Sequence, residues 1–323
     1  MFIALLSIIA GIALLIWSAD KFVIGAASLA RSFGMSPLLI GLTIVSIGTS
    51  SPEILVSLMA ALSDASSLAF GNAIGSNIAN IGLVLGITAL IAPLPVRSAL
   101  LYKELPILGA VTVIAGVLLA DMTLGQLDGI LLLSGLVITL VLFAKYHPVN
   151  KDGQIAEQII EEEEDLIHLS KGWAILWFLV GLVILILSSR LLVWGATEIA
   201  QAFGVSELII GLTIVAIGTS LPEMAASVAS ALKGHHDIAI GNVIGSNIFN
   251  LLAVMAIPGL VAPFDISLNV LVRDFGVMFL FTSILIFLCY RGSKGGSAII
   301  GRVSGFVLTA GYATYLFLLF LQS

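Results

Sequence analysis

GLTIVSIGTSSPE (41–53) returns as GLTIVAIGTSLPE (211–223), and GNAIGSNIAN (71–80) returns as GNVIGSNIFN (241–250). Both pairs keep one offset of 170 residues, and 28 of the 48 positions in 33–80 are identical to their counterparts in 203–250. Identity falls away outside that stretch. One glutamate in an apolar segment can be an accident. The same Thr-Ser-x-Pro-Glu and Gly-Ser-Asn phrases, written twice in one register, mark two related halves that share a polar site.

The chain around these phrases is 59% hydrophobic and only 10% charged, with a mean hydropathy of +1.18. That is far too apolar for a soluble domain. A spanning helix takes roughly 20 apolar residues, and such runs recur at 2–19, 38–62, 71–92, 104–120 and 127–145, then at 172–189, 208–232, 241–261, 272–290 and 298–320. The expectation is an all-α membrane protein of about ten transmembrane helices, arranged as two repeats of five. The halves are 1–145 and 172–323, joined by an acidic linker, 146–171, that holds the run Glu161 to Asp165. The linker reads as a solvated connector on the cytoplasmic side, because it lacks the spaced aspartates of a calcium loop. The first apolar run has no basic leader and no cleavage site, so it reads as a retained helix. A lone Cys289 leaves no disulfide framework and reads as a small buried hydrophobe. No basic stripe points to nucleic acid, and no obligate protein partner is evident.

Basic residues set the orientation. With the first loop inside, Arg31, Arg97, Lys103, Lys145, Lys151, Lys171, Lys233, Arg291, Lys294 and Arg302 fall in or beside cytoplasmic loops, leaving Arg273 as the only basic residue in an outer loop. Both termini are then non-cytoplasmic, in a plasma membrane, or in the inner membrane of a cell that has two. Five spans per half is an odd number. The halves therefore enter the membrane from opposite sides and form inverted-topology repeats.

Glu53 and Glu223 sit near the middle of their spans, where an ionised carboxylate costs about 2.5–3.5 kcal/mol even on lenient insertion scales. Pro52 and Pro222 each remove an amide donor, so the carbonyls of Gly48 and Gly218 lose their helical partner and the helices break or kink there. Broken backbone at this depth survives only inside protein or beside water. Thr49, Ser50, Thr219 and Ser220 adjoin the breaks, and Asn72, Ser76, Asn77, Asn80 with Asn242, Ser246, Asn247, Asn250 come from the second phrase. Ser76 shares a helix face with Asn80, and Ser246 with Asn250. Gly71 with Gly75 and Gly241 with Gly245 are small-xxx-small patterns for close helix packing. The set is oxygen-only, with no histidine or thiol placed to join it, which argues against zinc, copper or iron. It favours Ca2+, with Na+ competing for the same oxygens.

At these residues the chain resembles the calcium/cation antiporter superfamily, and most of all its small prokaryotic sodium/calcium exchanger members. Positions 41–80 and 211–250 match that family's two alpha-repeats. The resemblance implies inverted five-helix repeats, with long slanted first and sixth helices that slide past a core of the second, third, seventh and eighth. It implies that Glu53 and Glu223 bind Ca2+ with the carbonyls of Thr49 and Thr219. Ser50, Ser76, Ser220 and Ser246, with backbone oxygens of Ser46 and Ala216, would form flanking Na+ sites, and Asn80 and Asn250 would line the middle. Some relatives carry an aspartate where Asn250 stands, so ion stoichiometry and any dependence on K+ stay open.

The implied function is secondary antiport of Ca2+ against Na+ by alternating access, with both ions bound transiently and no resident cofactor. The alternative on the same fold is Ca2+/H+ antiport, since buried glutamates can take protons. Proton-coupled relatives usually carry a glutamate in the second phrase, and none stands here. An intramembrane hydrolase using Ser50 or Ser220 lacks a histidine in either repeat core; His235 and His236 fall at a loop. The chain is therefore not expected to be an enzyme. A passive channel would carry ions without a counter-ion, against which two fixed charges in a closed symmetric site speak.

Overall fold

The computed structural model describes residues 1–96, 98–146, 169–204, 216–292 and 298–322. Most of the linker, Arg97, Lys151, Lys294 and the 211–215 part of the second phrase lie outside the described residues. The rest is almost wholly helical, as lipid requires, because only internal hydrogen bonding satisfies the backbone there. Eight helices are long and apolar enough to cross a membrane: Phe2–Phe33, Ser66–Ile91, Leu100–Asp121, Gln126–Tyr146, Lys171–Ala202, His236–Val261, Leu268–Arg291 and Arg302–Leu321. A ninth crossing is the bent pair Pro37–Thr49 and Ser51–Leu62. The span expected at 208–232 is described only from its short helix Ala216–Thr219 and from Leu221–Leu232.

Two helices run well past the apolar runs that announced them. Phe2–Phe33 and Lys171–Ala202 have 32 residues each, where the sequence suggested ends near 19 and 189. At 1.5 Å per residue each is about 48 Å long, more than a hydrocarbon core of about 30 Å, so each must tilt or protrude. The first continues through Asp20 because that carboxylate is paired, with Lys21 at 3.3 Å and Lys233 at 2.6 Å. It closes at Gly34, whose φ of 63° lets its own N–H reach back to the Arg31 carbonyl and the Met35 N–H to the Ala30 carbonyl.

The long helices cross antiparallel, with glycine against backbone. A Cβ at Gly25 would lie 2.4 Å from the Phe178 nitrogen, and one at Gly181 would lie 2.6 Å from the Phe22 nitrogen. Likewise Gly11 faces Leu192 and Gly195 faces Ala4 and Ile8. Exchanging the halves at the 170-residue offset maps Gly11 and Leu192 onto Gly181 and Phe22, and Gly25 and Phe178 onto Gly195 and Ile8. The pair is thus related to itself by the same exchange that relates the sequences. Stacked Phe22 and Phe178, 5.0 Å between centroids, fill the crossing.

Burial identifies the centre. Of the most apolar window in each spanning helix, 72% is buried for Ser66–Ile91 and 83% for His236–Val261, against 17–39% for the other candidates. These two carry the Gly-Ser-Asn phrases. Pro37–Thr49 packs on His236–Val261 through glycine: a Cβ at Gly241 would meet the Leu38 carbonyl at 2.8 Å, and one at Gly245 the Leu42 carbonyl at 2.5 Å. The close-packing reading of Gly241 and Gly245 therefore holds. For Gly71 and Gly75 the counterpart partners, 208 and 212, lie outside the described residues.

Two features were not expected. Short antiparallel strands tie the halves together, Leu94–Val96 with Ala298–Ile300 and Thr123–Leu124 with Phe264–Asp265. They satisfy backbone groups where spans end. Arg273 belongs not to an outer loop but to a π-helical turn, Leu271–Phe275, inside Leu268–Arg291. It is held there by two 2.8 Å bonds to Asp274, which also accepts from the Tyr315 hydroxyl at 2.9 Å. Cys289 is fully buried, as a small hydrophobe should be.

Candidate cation site

The site is built where helices stop being regular. Between Pro37–Thr49 and Ser51–Leu62 the axis turns by 43° at Ser50, whose φ of −81° and ψ of 5° leave the helical region. Ser220 adopts the same conformation, φ −89° and ψ 3°, between Ala216–Thr219 and Leu221–Leu232. Proline drives both breaks, and it also suits the new helices, since each carries it in its first turn where no amide donor is needed. Glu53 and Glu223 follow directly, and each is only 1% exposed.

The two carboxylates converge. Ser50, from the first half and three residues before Glu53, donates to Glu223 Oε1 at 3.1 Å. Their second oxygens, Glu53 Oε2 and Glu223 Oε2, are buried with no hydrogen-bond partner among the described residues. The same holds for both polar atoms of Asn80, of Asn247 and of Asn250, and for the hydroxyls of Ser220 and Ser246. Ser76 is buried one turn before Asn80. A buried polar atom left unpaired costs about 1–3 kcal/mol, and the carboxylate, amide and hydroxyl oxygens of this cluster are the donor atoms that suit a hard cation. Asn80 and Asn250 each open a π-helical turn, Asn80–Leu85 and Asn250–Val254, which widens the helix at that point.

Several of these residues also make bonds within the protein. The Ser46 carbonyl accepts from the Ser50 amide at 2.9 Å, and the Ser46 hydroxyl donates to the Leu42 carbonyl at 2.8 Å. Thr49 Oγ1 donates across to Asn242 Oδ1 at 3.1 Å. Thr219 is half-buried beside Ser220, and of Ala216 only the helical backbone is described. Asn77 turns its amide back to the Ala73 carbonyl at 2.8 Å, unlike Asn247.

Four residues that carried no assigned role brace the carboxylates. Asn72 Nδ2 donates to the Glu53 carbonyl and to Ser57 Oγ, both at 3.0 Å. Asn242 Nδ2 does the same for the Glu223 carbonyl at 3.2 Å and Ser227 Oγ at 2.9 Å. The signal was present: Ser57 and Ser227 match at the 170-residue offset and stand four residues beyond each glutamate. Asn242 bridges the halves and is fully buried, while Asn72 is partly exposed. Asn242→Ala should therefore lower stability by about 1–3 kcal/mol in detergent thermal unfolding, and Asn72→Ala by less. Equal losses would show that the Thr49 bond contributes nothing.

A helical protein with eight or more candidate spans, enclosing paired carboxylates and oxygen donors at the meeting of its two halves, is a multi-pass membrane protein fitted to a hard cation. Comparison with known proteins agrees. The chain belongs to the sodium/calcium exchanger protein family, whose model matches residues 3–145 and 173–321. It is 45% identical over 323 residues to the putative antiporter CaxA of Alkalimonas amylolytica, covering 99% of each chain. It is 42% identical to the inner membrane protein YrbG of Escherichia coli, covering 99% of this chain and 98% of that one. A solved structure of the sodium-calcium exchanger NCX_Mj, soaked with 2.5 mM Na+ and 0.1 mM Ca2+, superposes with a TM-score of 0.82 at 32% identity, covering 96% of both chains. Family and fold together make this chain a cation antiporter rather than an enzyme.

Proposed function

We propose that this protein exchanges Ca2+ for Na+ across the membrane by alternating access. The convergence of Glu53 and Glu223, linked through Ser50 and ringed by unpartnered oxygens, carries the reading. Two carboxylates around one Ca2+ form a locally neutral core that can face either side of an apolar barrier. Emptied, the pair keeps two buried charges, and burying uncompensated charge costs several kcal/mol. The return step therefore needs other cations, which makes exchange rather than uniport the favoured cycle.

In this reading Glu53 and Glu223 hold Ca2+ with the carbonyls of Thr49 and Thr219. Na+ occupies flanking positions at Ser50, Ser76, Ser220 and Ser246, with backbone oxygens of Ser46 and Ala216, and Asn80 and Asn250 line the centre. The fold is ten spans in two inverted repeats, 1–145 and 172–323, with both termini outside and the linker 146–171 in the cytoplasm. The glycine contacts of the long-helix pair, which map onto themselves when the halves are exchanged, support the inversion.

The counter-ion is decided by reconstitution into liposomes. An imposed Na+ gradient should drive Ca2+ uptake with the pH clamped on both sides, and a pH gradient without Na+ should drive little. Uptake driven by the pH gradient alone would replace this reading with Ca2+/H+ antiport, in which the same two glutamates carry the protons.

A further inference from the structure

The exchange of halves separates what the long-helix crossing requires from what it does not. The glycine contacts of that pair occur twice, at Gly11 with Gly181 and at Gly25 with Gly195. Beside them stands a cluster that occurs once. The Trp177 ring meets Trp17 edge-on, with centroids 6.1 Å apart, and stacks on Trp173 at 6.4 Å. The Lys21 ammonium lies 5.5 Å from the centre of the same Trp177 ring. At the 170-residue offset Trp17, Lys21, Trp173 and Trp177 correspond to Leu187, Leu191, Ile3 and Ser7, so neither rings nor cation are repeated. Helix packing alone therefore does not account for them.

Lys233 sets the depth of the cluster. It ends Leu221–Leu232 at a loop, and its ammonium reaches Asp20 at 2.6 Å, so Asp20 and Lys21 stand at a membrane surface although they lie mid-way along a 32-residue helix. The apolar runs agree, since the first, 2–19, ends there and the second, 172–189, begins beside Trp173. Trp17 and Trp173 are 40% and 55% exposed, and indole rings favour the headgroup level of a bilayer. Lys21 and Lys233 share the single carboxylate of Asp20, which leaves one net positive charge. From the cluster an exposed apolar stripe, Leu176, Leu179 and Val183, runs along Lys171–Ala202 toward the bilayer centre.

We propose that Lys21, Trp17, Trp173 and Trp177 bind the headgroup of an anionic phospholipid, in the leaflet on the side of the Lys233 loop. The lysine supplies the charge, the indole N–H groups donate to phosphate or ester oxygens, and the apolar stripe takes an acyl chain. With both termini outside, that leaflet is the cytoplasmic one. A headgroup held there fixes the depth of one end of the long-helix pair, whose helices, at about 48 Å, outreach a hydrocarbon core of about 30 Å.

Tryptophan quenching tests this on the full-length protein in liposomes. The chain has four tryptophans, so Trp194→Phe leaves the three of the cluster as the only reporters. Phosphatidylglycerol and phosphatidylethanolamine, each brominated on its acyl chains, are compared at equal mole fraction in phosphatidylcholine. Phosphatidylglycerol should bind about fivefold better, the factor expected of one lysine near an anionic surface. Lys21→Gln should bring that ratio close to one, and Asp20→Asn should raise it. Lys171→Gln should leave it unchanged, because that ammonium lies over Phe33 instead. Equal quenching by the two lipids would overturn the site. So would an equal fall for Lys21→Gln and Lys171→Gln, which marks diffuse surface charge. The lipid comparison needs no change within the cluster, so it decides the matter even where a variant fails to fold. Ca2+ transport plays no part in the readout, so the lipid site and the exchanger reading stand or fall separately.

Discussion

Glu53→Gln and Glu223→Gln should each reduce Na+-driven Ca2+ uptake into liposomes by about 100-fold or more. Removing one partner from a buried, charge-compensated cluster costs roughly 3–5 kcal/mol, and every 1.4 kcal/mol is a factor of ten in affinity. Glutamine keeps the shape and one acceptor oxygen but removes the charge that offsets dehydration of a divalent ion. The control is thermal unfolding without Ca2+. There each variant should be as stable as the parent or more so, because an uncompensated buried charge has been removed. A variant that retains full exchange would show that the residue is not a ligand, and one that is folded yet inactive confirms the assignment. Since Ser50 donates to Glu223, Ser50→Ala should give a smaller loss than either glutamine substitution.

Gly245→Val should produce the largest structural effect. A Cβ at that position would sit 2.5 Å from both the Leu42 carbonyl and Ser46 Oγ, so the helices Pro37–Thr49 and His236–Val261 would have to separate. Overpacking of this kind costs typically 1–3 kcal/mol. It also moves Ser46, Thr49 and Ser50 relative to Ser246 and Asn250, so transport should fall with stability. Gly276→Ala is the matched control, since a Cβ there meets nothing within 4 Å, and it should stay within about 0.5 kcal/mol of the parent. Equal behaviour of the two variants in thermal unfolding would refute the tight crossing.

Much of the site was legible because ligand chemistry is local. Carboxylates beside proline, hydroxyls two and three residues ahead of it, and asparagines at helical spacing can be read without coordinates, and the duplication singles them out. Helix ends were less legible. A hydropathy run stops at Asp20, but a charge that is paired across space with Lys233 does not stop the helix. Arg273 was misplaced for the same reason: its partner Asp274 and the Tyr315 hydroxyl let it stay within the helix. The bracing pairs Asn72 with Ser57 and Asn242 with Ser227 repeat in sequence, but their purpose emerges only when an amide is seen reaching the carbonyl of a glutamate.

By itself the sequence determined the class of protein, the two-half organisation and the chemical repertoire of the site. Composition fixes the solvent a chain can fold in, and residue type fixes which ions its side chains can hold. Tertiary structure alone decided which oxygens meet: Ser50 with Glu223, and Thr49 with Asn242. Nearly identical phrases acquire unequal partners because each phrase packs against helices whose own sequences are not repeated, and a contact depends on both of its sides.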